Sequence, residues 1–118
     1  MLEPLFAYLE IAQKQYEDLA YQGYYNVGPD ECDCVTTGEL VTLFCDLWGD
    51  GAFWVNQHDG GPHEANFLKL DCSKLKKTFG WKPHWHIQDA IEKTIVWSKA
   101  YLAGEDMRQV MDQQIEAY

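Results

Sequence analysis

Basic side chains are scarce. Lys and Arg total 9 against 19 Asp and Glu, for a formal net charge of −10 and a pI near 4.6. Arg108 is the sole arginine. A protein that grips a nucleic-acid backbone needs a basic footprint, so nucleic acid is excluded as a partner. The same sign of charge repels anionic lipid. The planar guanidinium is the usual bidentate donor to phosphate, so an anionic ligand must here rely on other donors or on another chain. Long apolar runs are also lacking. None approaches the roughly 18 residues of a membrane span, which excludes a transmembrane helix. Met1-Leu2-Glu3-Pro4 has neither the basic stretch nor the apolar stretch of a secretory signal. The four cysteines, Cys32, Cys34, Cys45 and Cys72, are therefore expected to be reduced thiols in a cytoplasmic protein.

Motifs of self-sufficient chemistry are missing as well. There is no G-x-x-x-x-G-K-S/T phosphate loop and no G-x-S-x-G nucleophile elbow. Gly49-Asp50-Gly51 has no third glycine at dinucleotide-binding spacing. No tyrosine is followed by a lysine four positions on. No catalytic residue is therefore expected in this chain. Cys32-Asp33-Cys34 and His84-Trp85-His86 pair metal-ligand residue types, and His58 and His63 share a loop. Cys-x-Cys is tighter than the usual zinc spacing, so free thiols and surface histidines are expected and no metal. A small structural zinc protein is the minor alternative.

What is present describes one folded unit. A chain of 118 residues is one domain's worth, and 47% hydrophobic content excludes disorder. Leu2, Leu5, Leu9, Ala12, Tyr16 and Leu19 recur at helical spacing and predict a helix over about 3–20. Tyr24-Tyr25-Asn26-Val27 reads as a buried strand stopped at Gly28-Pro29, and residues 30–35 as a loop. Thr36 and Glu39 have capping-box spacing and open a helix that closes at Gly49. Ala52-Phe53-Trp54-Val55 and Phe67-Leu68-Lys69-Leu70-Asp71 read as second and third strands around a glycine-bearing polar loop at 56–66. A short helix over 74–79 ends at Gly80, a longer one from Ile87 ends at Gly104, and a last covers about 107–115. The expected class is α/β, helix-rich with a small three-stranded sheet. Trp48, Phe53, Trp54, Phe67, Phe79, Trp81 and Trp97 are expected in its core, with Cys45 and Cys72. Glu105, Asp106, Asp112 and Glu116 are expected to form a solvated acidic helix face.

The stretch Asp71-Cys72-Ser73-Lys74 through Phe79-Gly80-Trp81-Lys82-Pro83 resembles the D-x-S-K-x-x-x-x-L-G-W-x-P segment of extended short-chain dehydrogenase/reductases acting on nucleotide sugars. Tyr25-Asn26-Val27-Gly28 resembles their Y-N-x-G strand. Leu2-Glu3-Pro4-Leu5, Asn26-Val27-Gly28-Pro29-Asp30, Leu47-Trp48-Gly49-Asp50-Gly51-Ala52, Pro62-His63-Glu64-Ala65 and Gly104-Glu105-Asp106-Met107 are similar to the NAD-dependent 4,6-dehydratase branch that takes CDP-sugars. The likeness runs along the whole chain but matches the C-terminal third of the family.

That resemblance implies a single C-terminal substrate-binding subdomain over 1–118, without the NAD-binding Rossmann half or its Tyr-x-x-x-Lys pair. The full enzymes oxidise the sugar at C4, eliminate water across C5–C6 and return the hydride. This portion is then inactive alone, with no cofactor of its own. It implies substrate-binding roles for His63, Glu64 and Glu3: His63 donating to phosphate or ribose, Glu64 accepting from a ribose hydroxyl, Glu3 at the cleft wall. Glu3 is equally well read as an acid favourable at a helix N-terminus. The family pattern carries histidines where Gly61 and Asn66 stand, which implies weaker unaided binding. The partners implied are a CDP-sugar, and either a Rossmann-domain chain or a second copy covering an apolar face with Leu5, Leu9 and Tyr16. A free-standing acidic binding or oligomerisation module is the alternative.

Overall fold

The computed structural model describes residues 2–57 and 69–118. The described residues form five α-helices: α1 Leu2–Glu17, α2 Thr37–Trp48, α3 Ser73–Phe79, α4 Ile87–Ala103 and α5 Met107–Glu116. Each boundary has a local cause. Past α1, Asp18 accepts the Ala20 N–H at 2.8 Å and opens a 3-10 turn, Leu19–Tyr21. At α2 the Glu39 N–H donates to Thr36 Oγ1 at 3.2 Å while the Thr36 N–H donates to Glu39 Oε2 at 2.7 Å. This satisfies two amides that a helix start leaves without partners. Gly80 and Gly104 end α3 and α4 in the left-handed region, at φ 67° and 73°, where a Cβ would be strained. Asp106 caps α5.

The expected three-stranded sheet is not there. Among the described residues there is no β-strand. Residues 24–27 and 52–55 run as irregular chain, as do 69–71; Phe67 and Leu68 lie outside the described residues. β-prone side chains make a strand only where another backbone takes up their N–H and C=O groups, and that pairing is non-local. Some order of the expected kind survives. Asn26 Nδ2 donates to the Asp71 carbonyl at 3.1 Å, and a Cβ on Gly28 would meet Cys72 Sγ at 3.3 Å. The two segments thus lie side by side without a ladder.

The core is small. Ala7 of α1, Leu75 of α3 and Trp81 form its centre, and Ile11, Tyr25, Val27 and Phe79 pack on it. The Phe79 ring meets Tyr25 edge-on at 5.0 Å. The expectation for the aromatics therefore holds for Trp81 and Phe79. It fails for Phe53, which is 82% exposed, for Trp97, which is also exposed, and for Trp54, whose indole N–H donates to Thr42 Oγ1 at 3.0 Å on the surface. Phe67 lies outside the described residues. Cys72 is buried and Cys45 half-buried. Away from this centre α2 packs on α4, and α4 on α5. Lys99 ties the first pair by donating to the Trp48 carbonyl at 2.7 Å, and Gln114 ties the second through the Lys93 carbonyl at 2.9 Å.

Two global measures show how open this arrangement is. The radius of gyration is 17.7 Å, where a compact chain of this length has about 13–14 Å. The accessible surface is 9331 Å², against about 6,600 Å² for a compact monomer of this mass. The excess falls partly on apolar side chains: Leu9 of α1 is 70% exposed and Tyr16 is 94% exposed. No helix among the described residues is long and apolar enough to cross a membrane.

Candidate functional site

Glu3 is half-buried in the first turn of α1, and the fold brings it to the entrance of α4. Its carboxylate accepts the His84 N–H at 3.0 and 3.2 Å and the Trp85 N–H at 2.7 Å. Tyr118 closes the cluster. Its ring packs edge-on to Trp85 at 4.9 Å, and its hydroxyl lies 3.2 Å from His84 Nδ1. Burial, and then the Glu3 carboxylate, push the Tyr118 pKa well above the usual tyrosine value, so the hydroxyl stays protonated. Glu3 thus pins the first turn of α1 to residues 84–85. Glu3→Ala is expected to strip both amides of their acceptor and cost about 1–3 kcal/mol, read as a lowered urea midpoint at unchanged slope.

His63 and Glu64, the other two residues expected to bind substrate, lie outside the described residues.

Asp33 is the pivot on the other side of the α4 entrance. It is 8% exposed, at the end of a 3-10 turn over Glu31–Asp33. Its Oδ1 accepts the Ile87 N–H at 3.0 Å and its Oδ2 lies 2.8 Å from His86 Nδ1. Burial works to raise the Asp33 pKa, but the Ile87 N–H and the His86 ring outweigh it and hold the group below the ordinary Asp value. His86 responds in the opposite direction: the hydrogen bond and charge of Asp33 raise its pKa. Asp89 fixes the His86 backbone by accepting its N–H at 3.0 Å.

Between these anchors runs a groove of about 320 Å³. Val27, Pro29, Trp81, Pro83 and Trp85 give it apolar walls, and Glu3, Asp33 and His86 supply its polar groups. The Trp81 indole N–H is buried and has no hydrogen-bond partner among the described residues. Pro29 also borders a second hollow of about 370 Å³, which holds Lys69, Lys76 and Ser73. Both lysines are engaged there: Lys69 by Glu31 at 2.6 Å, and Lys76 by Asp30. Those partners raise both lysine pKa values, so both ammonium groups stay charged. Glu31 and Asp71 line the same hollow, so carboxylates stand beside both of its cations.

Sequence reasoning placed Glu3 near a cleft but missed its amide partners. It gave no role to Lys69 or Lys76 and did not foresee the meeting of Asp33 with His86. Its one usable signal was the pairing of ligand-type residues at 32–34 and 84–86.

No protein-family model matches the chain. Over 119 residues it is 38% identical to CDP-glucose 4,6-dehydratase of Salmonella typhimurium. That match covers 100% of this chain and 33% of that protein, an extent consistent with a C-terminal portion of it.

Proposed function

We propose that this chain is the nucleotide-sugar-binding portion of an enzyme of the CDP-glucose 4,6-dehydratase type, serving deoxysugar biosynthesis and inactive alone. The 38% identity along its whole length carries the reading. The substrate's base and ribose lie along the apolar groove, and its pyrophosphate draws Lys69 and Lys76 away from Glu31 and Asp30. His63 donates to phosphate or ribose, and Glu64 accepts from a ribose hydroxyl. Both follow a proline-bearing stretch leading towards Lys69 in the chain.

On this reading the NAD site belongs to the rest of such an enzyme. The one G-x-G, Gly49-Asp50-Gly51, follows the C-terminus of α2, the negative end of the helix dipole. A pyrophosphate needs the opposite end of a helix. No hydride step is assigned to any residue here. The remaining two thirds of such an enzyme would hold the cofactor and cover the exposed face of α1.

Calorimetric titration with CDP-glucose tests the reading. Saturable binding is expected, weakened about tenfold or more by either His63→Ala or Glu64→Ala. Heats indistinguishable from those of glucose would overturn it.

A further inference from the structure

We propose that Cys32, Asp33 and His86 form a site for a zinc-like divalent cation. The fold brings these side chains together from two segments 53 residues apart, and their ligand atoms lie within 4.8 Å of one another. Each supplies a different donor: thiolate sulfur, carboxylate oxygen and imidazole nitrogen. Thiolate and imidazole select zinc, or cobalt in its place, over magnesium and calcium.

Two of the three pairs stand near the spacing that a tetrahedral ion requires, and the third, Cys32 with His86, lies within 4.8 Å. Bond lengths of about 2.0–2.3 Å place neighbouring ligand atoms roughly 3.3–3.8 Å apart. Cys32 Sγ stands 3.8 Å from Asp33 Oδ2, already at that separation. His86 Nδ1 stands 2.8 Å from the same oxygen, so this pair opens by about half an ångström as the ion takes the place of a proton. Cys32 binds as the thiolate, and its proton passes to solvent.

The carboxylate is held in advance. Ile87 donates to the oxygen of Asp33 that does not face His86, as outer-shell donors do for metal-bound carboxylates. The backbone of His86 is held by Asp89. Cys32 sits in the 3-10 turn closed by the Asp33 N–H on the Asp30 carbonyl at 3.0 Å. Asp33 and His86 both border the groove, which leaves room for water as the fourth ligand. Three protein ligands and one open position make a site that can hold a ligand on the ion, unlike a closed structural site.

Cobalt titration of the metal-free full chain tests this independently of the sugar-nucleotide reading. One equivalent is expected to produce the visible bands of tetrahedral cobalt and a near-ultraviolet thiolate charge-transfer band, both removed by added zinc. Cys32→Ser is expected to abolish the charge-transfer band, and His86→Gln to weaken binding about tenfold or more. Cys34→Ser and His84→Gln should leave both signals unchanged. Cys32 is exposed, so its variant keeps the fold, which far-ultraviolet circular dichroism verifies. Absence of the cobalt bands, or bands insensitive to Cys32→Ser, would overturn the proposal. So would equal loss in Cys34→Ser.

Discussion

Trp81→Ala is expected to unfold the chain at room temperature. Trp81 is 4% exposed and lies in a buried cluster that joins α1 to α3, with Ala7 and Leu75. Truncating a buried Trp to Ala costs about 3–5 kcal/mol, transfer and cavity together. Ordinary domains hold only about 5–15 kcal/mol, and this chain buries less surface than a compact one of its mass. The loss therefore consumes most of what is available. Far-ultraviolet circular dichroism should show reduced helix content and no cooperative urea transition. Trp81→Phe should keep the transition, because the indole N–H that it removes has no partner among the described residues. Phe53→Ala, on a side chain 82% exposed, should change stability by no more than about 0.5 kcal/mol. A normal transition in Trp81→Ala would mean that the core lies elsewhere.

The second large effect concerns the open face of α1. Leu5, Leu9 and Tyr16 share one side of the helix and are 47%, 70% and 94% exposed. Apolar side chains left this open on one helix face gain by being covered. The purified chain is expected to self-associate as its concentration rises into the micromolar range. Burying a Leu contributes about 1.5–3 kcal/mol, so Leu5→Glu with Leu9→Glu should weaken association about a hundredfold or more. Both positions are exposed and Glu is a good helix former, so α1 itself should persist. Sedimentation velocity measures this directly. A monodisperse monomer at every concentration would show that the face needs no cover.

The helices were legible in the sequence because their signals are local. The Thr36–Glu39 box, and the glycines at 49, 80 and 104, act on backbone within a few residues. The strands were misread for the opposite reason. Tyr24–Val27 and Ala52–Val55 have strand-like side chains, but strand formation depends on a neighbour that composition cannot supply. The same limit applies to the aromatics. Phe53 and Trp81 look alike in a hydrophobic pattern, and only tertiary packing buries one and exposes the other. At the site, Glu3 was visible as an acid at a helix start. Its amide partners lie 81 and 82 residues away and left no trace in its local sequence. The meeting of Asp33 with His86 was equally hidden, although each stood beside residues of ligand type.

The central claim is that this chain binds a nucleotide sugar along the path from the apolar groove to the lysine hollow. The most direct test is a residue-resolved NMR titration of the full chain with millimolar CDP-glucose, with glucose alone as the control. The expected result is a saturable set of amide shifts at Val27, Gly28, His63, Glu64 and Lys76, absent with glucose. Shifts scattered over α5 and the surface of α2, or no saturable shifts at all, would contradict it.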